Sequence, residues 1–150
     1  MKALAKIQSI RPDEGCADAL ARGVEYYTRH LLDADGLPKP FSKAPRMTVY
    51  KRELYDYAEC INLCVLLEDR FGDLGRTLNT VLADLTERWL KRDGSFRSRE
   101  LLAGWDNVPM HRWAQSQMFR SLAFLLRQAR SGTAAARSDN HSHVRNLQAV

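Results

Sequence analysis

An internal repeat constrains the fold of this chain more than any other sequence feature. The pair Asp35-Gly36 recurs later in the chain as Asp93-Gly94, and we call the offset that carries Gly36 onto Gly94 the repeat shift. The repeat shift aligns further positions on both sides of these turns: Leu32 with Leu90, Tyr55 with Trp113, Ala58 with Ser116, Ile61 with Phe119 and Leu67 with Leu125. A period of this length that contains two helices predicts stacked α-hairpins, in either an open solenoid or a closed toroid. Two units cannot close a ring, so we expect the open ends to be buried against something else or left exposed.

Hydrophobic periodicity predicts four helices. Apolar residues recur at three- and four-residue steps over 13–32, 52–71, 74–91 and 110–129. The two Asp-Gly pairs follow the first and third segments, where each glycine suits the positive φ that ends a helix. Short polar loops between helices favour antiparallel hairpins. No strand–helix alternation exists, and the β-branched patch at 48–50 is too short to predict a strand, so parallel α/β folds are excluded.

The predicted fold class is therefore all-α, with two to three antiparallel helical hairpins. The apolar stripes of these helices define a candidate core, whose members are Ile61, Leu82, Leu85, Trp89, Leu122 and Leu125. A chain of 150 residues builds one such core rather than two. We predict a helical-hairpin domain over 1–130. Residues 131–150 are rich in Ser, Ala, Arg and His without apolar periodicity, which predicts a disordered tail.

Several classes of function are disfavoured by composition. No apolar run approaches the length of a transmembrane helix, and the start of the chain lacks a signal-peptide core, so we expect a cytoplasmic protein without membrane contact. The three cysteines have no paired metal spacing, and Cys60 and Cys64 stand four residues apart on a predicted helix, where they suit packing. His141 and His143 lack a third ligand in the sequence around them. We therefore predict neither a metal nor a cofactor.

The basic charge raises the question of nucleic acid. The formal net charge is +5 and the isoelectric point is near 9.3. The arginines, however, are spread along the chain and stand next to acids, as Arg52 does beside Glu53. No basic stripe with interleaved aromatic residues is present, which favours a solvated helical surface over a nucleic-acid interface.

Several short motifs follow one another in an order that resembles a known family. They are Tyr26-Tyr27, Asp35-Gly36-Leu37-Pro38-Lys39, Tyr55-Asp56-Tyr57-Ala58-Glu59, Asp93-Gly94-Ser95-Phe96 and His111-Arg112-Trp113-Ala114-Gln115. This order resembles the C-terminal portion of helical-toroid proteins of bacterial polysaccharide-biosynthesis clusters, which are similar to the six-hairpin glycosidase superfamily. The resemblance covers residues 23–126. Members of that family are more than twice as long, so the resemblance implies a partial (α/α) toroid made of its last two or three hairpins.

The resemblance also implies where a ligand binds. In (α/α) toroids the ligand groove lies at one end, lined by loops and by the first turns of the inner helices, here the loops 37–48 and 95–110. Sugar sites use aromatic faces together with charged or amide groups. The candidate ligand-binding residues with aromatic faces are Tyr55, Trp105 and Trp113. The candidates with charged, imidazole or amide groups are Asp56, Asp93, Arg97, His111, Arg112 and Gln117. Arg112, at the mouth of an inner helix, is expected to pair with an acid or with an anionic ligand, and Asp56 in the neighbouring unit is its obvious acidic counterpart. Two of these residues also suit a purely structural role instead of ligand binding: Asp56 stabilises a helix dipole, and Asp93 forms a turn.

No residue is assigned a catalytic role. Asp56 and Glu59 form a carboxylate pair, but neighbours on one helix rarely have the separation across a sugar that glycoside hydrolysis needs. The expected function is binding or processing of an anionic polysaccharide. The alternatives are a non-catalytic helical-repeat interaction module and a truncated, inactive remnant. A homo-oligomer or a partner chain that completes the barrel is also expected, because the first helix presents much apolar surface through Tyr26, Tyr27, Leu31 and Leu32.

Overall fold

The described part of the chain folds into five helices and a small antiparallel sheet. The computed structural model describes the backbone of residues 1–43, 45 and 47–147, and the side chains of these residues apart from His111 and 132–147. The helices are α1 (Lys2–Ile10), α2 (Glu14–His30), α3 (Leu54–Leu67), α4 (Asp73–Asp84) and α5 (Ser116–Leu147). A π-helical turn, Leu85–Trp89, extends α4, and another, His111–Gln115, precedes α5. The strands are β1 (Tyr50–Glu53), β2 (Arg99–Leu101) and β3 (Trp105–Asp106). The four predicted helices are thus all present.

The two Asp-Gly turns have the same backbone structure, which confirms the repeat. Gly36 and Gly94 have φ angles of 79° and 82°, in the left-handed region that favours glycine. The interactions that flank each turn also correspond under the repeat shift. The hydrogen bond from Asp33 N to Leu37 O corresponds to that from Lys91 N to Ser95 O, and the one from Lys39 N to Leu31 O corresponds to that from Arg97 N to Trp89 O. The β-bridge Leu32–Pro38 corresponds to the β-bridge Leu90–Phe96.

The first helix, α1, extends the repeat beyond its predicted start. The repeat shift carries Lys2–Ile10 onto 60–68 at the end of α3, and it carries Glu14–His30 onto 72–88 in α4 and its π-helical turn. The described part of the chain therefore contains three equivalent helices, α1, α3 and α5, with α2 and α4 between them. Helix α1 was not predicted, because its nine residues are too few to establish a helical period in the sequence.

Helix α3 lies at the centre of the molecule and contacts α1, α4 and α5. The Tyr57 side chain near its start lies against Trp89 at the end of the α4 extension, so α3 and α4 are antiparallel, as predicted. In contrast, α3 and α5 are parallel. Tyr55 stacks on Trp113 before α5, and further along both helices Asn62 donates a hydrogen bond to Ser121.

The three-stranded sheet corrects the prediction of an all-α chain. Strand β1 pairs with β2 and β2 pairs with β3, all antiparallel, with Glu53 opposite Arg99 and Glu100 opposite Trp105. These strands are two to four residues long, too short to give a period-two pattern in the sequence. The sheet joins the loop of the first unit to the loop of the second. The chain is therefore mainly helical rather than wholly so.

A half-buried arginine holds the sheet together. Arg52 forms an ion pair with Asp33 and donates a hydrogen bond from Nη1 to Glu100 Oε2 at 2.7 Å. Arg88 donates from Nη2 to the other oxygen of Glu100 at 2.8 Å. Burial by itself raises the pKa of Glu100, but the hydrogen bonds from Arg52 and Arg88 outweigh it and hold that pKa below its usual value. The charges of the two loops are therefore satisfied by each other.

The same network continues into the core through Asp84. Its Oδ1 accepts a hydrogen bond from Arg88 at 3.2 Å, and its Oδ2 accepts hydrogen bonds from the Tyr57 hydroxyl at 2.6 Å and the Trp89 indole at 2.9 Å. The side chains of Tyr57 and Trp89 are fully buried. Their polar atoms need a partner there, and Asp84 provides it.

The predicted core is confirmed at its centre. Ile61, Leu85 and Trp89 are buried, whereas Leu82, Leu122 and Leu125 are half-buried and pack against the cluster from its edge. Leu20 of the predicted α2 stripe is buried as well, and the periodicity did not single out two further large buried residues, Leu74 of α4 and Met118 of α5.

Helix α5 continues past the predicted domain boundary at residue 130. The backbone is helical to Leu147, over a segment for which the composition predicted a disordered tail. Alanine and arginine, as in Ala134-Ala135-Ala136-Arg137, have high helix propensity, which favours this continuation. Residues 148–150 lie outside the described part of the chain, and disorder of the tail in solution stays a prediction.

Truncation of Leu85 tests the core. The Leu85 side chain is 1% exposed, so Leu85→Ala leaves a cavity and should lower the free energy of unfolding by about 2–5 kcal/mol. Urea denaturation measures this loss. The control Leu102→Ala, at an exposed leucine, should stay within about 0.5 kcal/mol of the parent. Equal losses for the two variants would contradict the assignment of the core.

Candidate functional site

Equivalent positions of α3 and α5 form one face of the molecule. Residues spaced four, three and four apart lie on the same side of a helix. On α3 this stripe is Tyr55, Glu59, Asn62 and Leu66, and the repeat shift converts it into Trp113, Gln117, Arg120 and Phe124 on α5 and the turn before it. We call these eight residues the shared face.

An aromatic stack lies at one end of the shared face. The rings of Tyr55 and Trp113 are 5.1 Å apart and inclined by 20°. Trp113 remains 55% exposed, so one side of the indole rests on Tyr55 while much of the remainder faces solvent. The pKa of the Tyr55 hydroxyl is raised, mainly by burial and also by the negative charges of Glu59 and Asp56, while the positive charge of Arg120 acts to lower it. Two sequence candidates are thereby brought together as a flat, accessible aromatic surface.

A cleft of about 400 Å³ adjoins the middle of the shared face. Helix α1 contributes one wall, α3 the floor and α5 the opposite wall. The cleft is lined by Lys2, Ala3, Lys6, Asn62, Leu66, Arg120 and Phe124. None of these was predicted as a site residue. The signal that would have found them is the repeat itself, because extending it to residues 2–10 adds a third equivalent helix.

The charges around the cleft are mostly positive. Lys2 is paired with Glu59 on α3. Arg120 has Gln117 as its hydrogen-bond partner, with Nη1 donating to Oε1 at 3.3 Å. Gln117 is thus another sequence candidate that lies on the shared face, beside a cation.

Asp56 is turned away from the shared face. It follows Tyr55 by one residue, or about 100° around the helix, and lies near Tyr27 and Cys60. Its Oδ2 atom is buried without a hydrogen-bond partner among the described residues. Burial, together with the nearby Glu53 and Glu59 carboxylates, raises the pKa of Asp56 to about 7.

The expected pair between Asp56 and Arg112 is not formed, so this expectation is wrong. Arg112 is exposed and has no salt bridge among the described residues, whereas the Asp56 carboxyl is buried on another side of α3. Both residues lie near the start of equivalent helices, but the repeat shift carries Leu54, not Asp56, onto Arg112.

Trp105 and Arg97 belong to a different cluster. Trp105 lies edge-on to Trp89 at 5.1 Å, and the guanidinium groups of Arg97 and Arg88 lie over its ring at 4.7 and 5.4 Å. Cations on a tryptophan face stabilise both groups. The ring is therefore occupied by the protein's own side chains, and this cluster secures β3 against the end of α4.

The Asp93 side chain stabilises its own turn, which is the structural role that the sequence offered as the alternative to ligand binding. Its Oδ1 accepts hydrogen bonds from the backbone nitrogen of Ser95 at 2.9 Å and from the Ser95 hydroxyl at 2.7 Å. These bonds and Lys91 lower the pKa of Asp93. The side chain of His111 lies outside the described residues, so its predicted role stays a prediction.

Comparisons of this chain with protein-family models, with curated proteins and with solved structures find no match. Within the described part of the chain, no three His, Cys, Asp or Glu side chains are grouped in a way that would hold a metal ion. None of the described helices has both the length and the apolar character that crossing a bilayer requires.

Asp56 predicts a distinct pH dependence of stability. Its pKa is about 7 in the folded protein and near 3.8 when unfolded, so the folded state holds the proton more tightly and its stability falls as pH rises between these values. From pH 5 to pH 8 the carboxyl should contribute a loss of about 2–3 kcal/mol. Asp56→Asn removes this ionisation.

Urea denaturation of the parent and of Asp56→Asn at pH 5 and pH 8 measures the effect. The parent should lose more stability than the variant over this interval, while other titrating groups contribute equally to both. Parallel losses would show that Asp56 is ionised in the folded protein at pH 5.

Proposed function

We propose that this protein binds an anionic carbohydrate along its shared face, as a partial (α/α) toroid. The observation that carries the proposal is the stack of Tyr55 and Trp113, an exposed aromatic surface with Gln117 and Arg120 on the same stripe. Aromatic rings pack against the C–H surface of a sugar, and amide and cationic groups bind its hydroxyl and acidic substituents.

The arrangement of the helices supports the toroid part of the proposal. The parallel neighbours α3 and α5 are connected through α4, which is antiparallel to α3, and consecutive hairpins of a toroid or solenoid have this arrangement. The sequence resemblance to helical toroids of polysaccharide-biosynthesis clusters favours a carbohydrate as the ligand.

Binding is favoured over hydrolysis. Of the two carboxylates near the start of α3, Glu59 is paired with Lys2, and Asp56 is turned away from the shared face. A glycosidase needs two carboxyl groups placed on either side of one sugar bond. We therefore propose no catalytic residue and no cofactor.

Replacement of the exposed indole tests the proposal. Isothermal titration with acidic oligosaccharides, such as oligouronates, should show binding to the parent that Trp113→Ala weakens about tenfold or more, because the aromatic surface is lost. Tyr26→Ala, at an exposed aromatic residue on α2, is the matched control and should bind as the parent does. Failure of the parent to bind any acidic or neutral oligosaccharide would overturn the proposal.

The second candidate, a helical-repeat interaction module, is favoured by one further observation. Phe119 and Leu126 on α5 are 76% and 58% exposed, and Leu122 between them is half-buried. The positions equivalent to Phe119 and Leu122 are Ile61 and Cys64, which are fully buried in α3. Helix α5 thus has an uncovered apolar stripe where the preceding unit has a covered one.

We propose that a second copy of the chain covers this stripe. The expectation that α2 carries the open surface is not supported, since Leu32 is buried and Tyr27 and Leu31 are half-buried within the chain; Tyr26 is the exposed one of the four. Exposed apolar stripes of this kind are typical of protein interfaces.

The oligomer is tested at Phe119. Light scattering after size exclusion should give the mass of a dimer or larger species for the parent, and Phe119→Lys should shift it towards the monomer because a charge enters the interface. Val108→Lys, at an exposed loop valine, should leave the mass unchanged. A parent that is monomeric at every accessible concentration would contradict this candidate.

A further inference from the structure

The cleft between α1, α3 and α5 has a composition that suits one part of an anionic ligand. Its lining combines three cations with the apolar surfaces of Ala3, Leu66 and Phe124. The walls come from three separate helices, so its shape depends on the packed fold. A pocket with an apolar body and a few convergent charged groups is the usual form of a small-molecule site.

The positive charge of the cleft is not balanced by the described residues. Lys2 is neutralised by Glu59 on the adjacent turn of α3. Lys6 of α1 and Arg120 of α5 both line the cleft, and neither has an acidic partner within 4.0 Å among the described residues. An excess of one sign of charge around a concave apolar surface attracts ligands of the opposite sign. The cleft thus offers two cations to an incoming anion.

Asn62 on the floor adds a hydrogen-bonding group with a fixed orientation. Its Nδ2 atom donates to Ser121 Oγ at 2.9 Å, and the residue is buried. Ser121 Oγ lies within 2.9 Å of the carbonyl oxygen of Ala58 as well, so the amide of Asn62 is held by α3 and α5 together. An amide has two N–H donors and one oxygen acceptor, which leaves capacity for a hydroxyl of the ligand.

The cleft and the aromatic stack are separated along α5. Arg120 lies two helical turns beyond Trp113, which corresponds to about 10 Å of helix. A ligand that contacts both is therefore an extended molecule, such as an oligosaccharide, with its anionic group some distance from the sugar that packs on Trp113.

We infer that the cleft is an anion-binding subsite in which Lys6 and Arg120 hold a carboxylate or phosphate group of the ligand, while Leu66 and Phe124 cover its apolar face. This inference rests on the proposed function for the remainder of the ligand. The acidic group has two possible sources, the carboxylate of a uronic acid and a phosphate substituent, which share the same charge partners.

The test compares ligands that differ only in charge. The parent, Lys6→Gln, Arg120→Gln and Trp113→Ala are each titrated with an oligogalacturonate and with a neutral oligosaccharide of equal length. Arg76→Gln, on the outer helix α4 and away from the cleft, is the matched control. Each cleft variant should weaken binding of the acidic oligosaccharide about tenfold and leave the neutral one unchanged. Trp113→Ala should weaken both, and Arg76→Gln neither.

A direct measurement locates the anion independently of the oligosaccharides. Glucuronate alone and inorganic phosphate alone are titrated into the isotopically labelled protein, and the NMR signals of Lys6, Asn62 and Arg120 are followed. Changes in these chemical shifts with glucuronate indicate that the anionic group of the ligand is a carboxylate, and changes with phosphate indicate that it is a phosphate. Either result supports the subsite. The shifts should weaken with added salt.

The outcomes separate this inference from the proposed function. If both oligosaccharides bind the parent equally and the cleft variants change nothing, the subsite and the preference for an anionic ligand are overturned, while carbohydrate binding at the aromatic stack stands. If neither oligosaccharide binds but the small anions shift the cleft signals, the subsite stands and the proposed function falls. Absence of any shift or binding overturns both.

Discussion

The structure depends on the burial of α3 from almost every direction. Nine of its residues are buried, and they are distributed around the helix rather than along one stripe: Leu54, Tyr57, Ala58, Cys60, Ile61, Asn62, Leu63, Cys64 and Leu67. A helix that is apolar on most sides has to be surrounded by other elements. Here α1, α4 and α5 provide that cover. The side of α3 with Tyr55 and Glu59 is less enclosed, and that opening is where the shared face and its cleft form.

The loops of the two units are joined by charge rather than by apolar packing. Arg52 and Glu100 are separated by 48 residues in the chain, yet they form a part-buried hydrogen bond. Arg88 and Asp84 extend the network to the core hydroxyl of Tyr57. Because a buried charge without its partner is strongly unfavourable, these residues fix the relative placement of the two loops. The starts of α3 and α5 follow directly from those loops, so the stacking of Tyr55 on Trp113 depends on the network.

Charge is distributed unequally over the two sides of α3. Burial and the nearby Glu53 and Glu59 carboxylates keep the Asp56 carboxyl, which is turned away from the shared face, protonated to higher pH. The only acid of the shared face, Glu59, is paired with Lys2 of α1, and Lys6 of α1 and Arg120 of α5 leave a positive excess in the adjoining cleft. This asymmetry supports the proposal of an anionic ligand at the shared face, and it is the reason that we propose no catalytic pair of carboxylates there.

The features that depend on local interactions could be predicted from the amino-acid sequence. Helix periodicity, the left-handed glycines at Gly36 and Gly94 and the repeat that relates them are properties of neighbouring residues, and all three are present in the fold. The equivalence of Tyr55 and Trp113 was also visible, and it placed these two rings in one site. Which residues of different helices lie opposite one another depends on how the helices pack, and the sequence does not contain this information in any local pattern. In the folded chain Asp56 lies away from Arg112, and the guanidinium group of Arg97 covers Trp105. The cleft is lined by residues as far apart in the chain as Lys2 and Phe124. Strands of two to four residues and ion pairs between distant loops have no local pattern, because their stability comes from partners that the sequence does not place side by side.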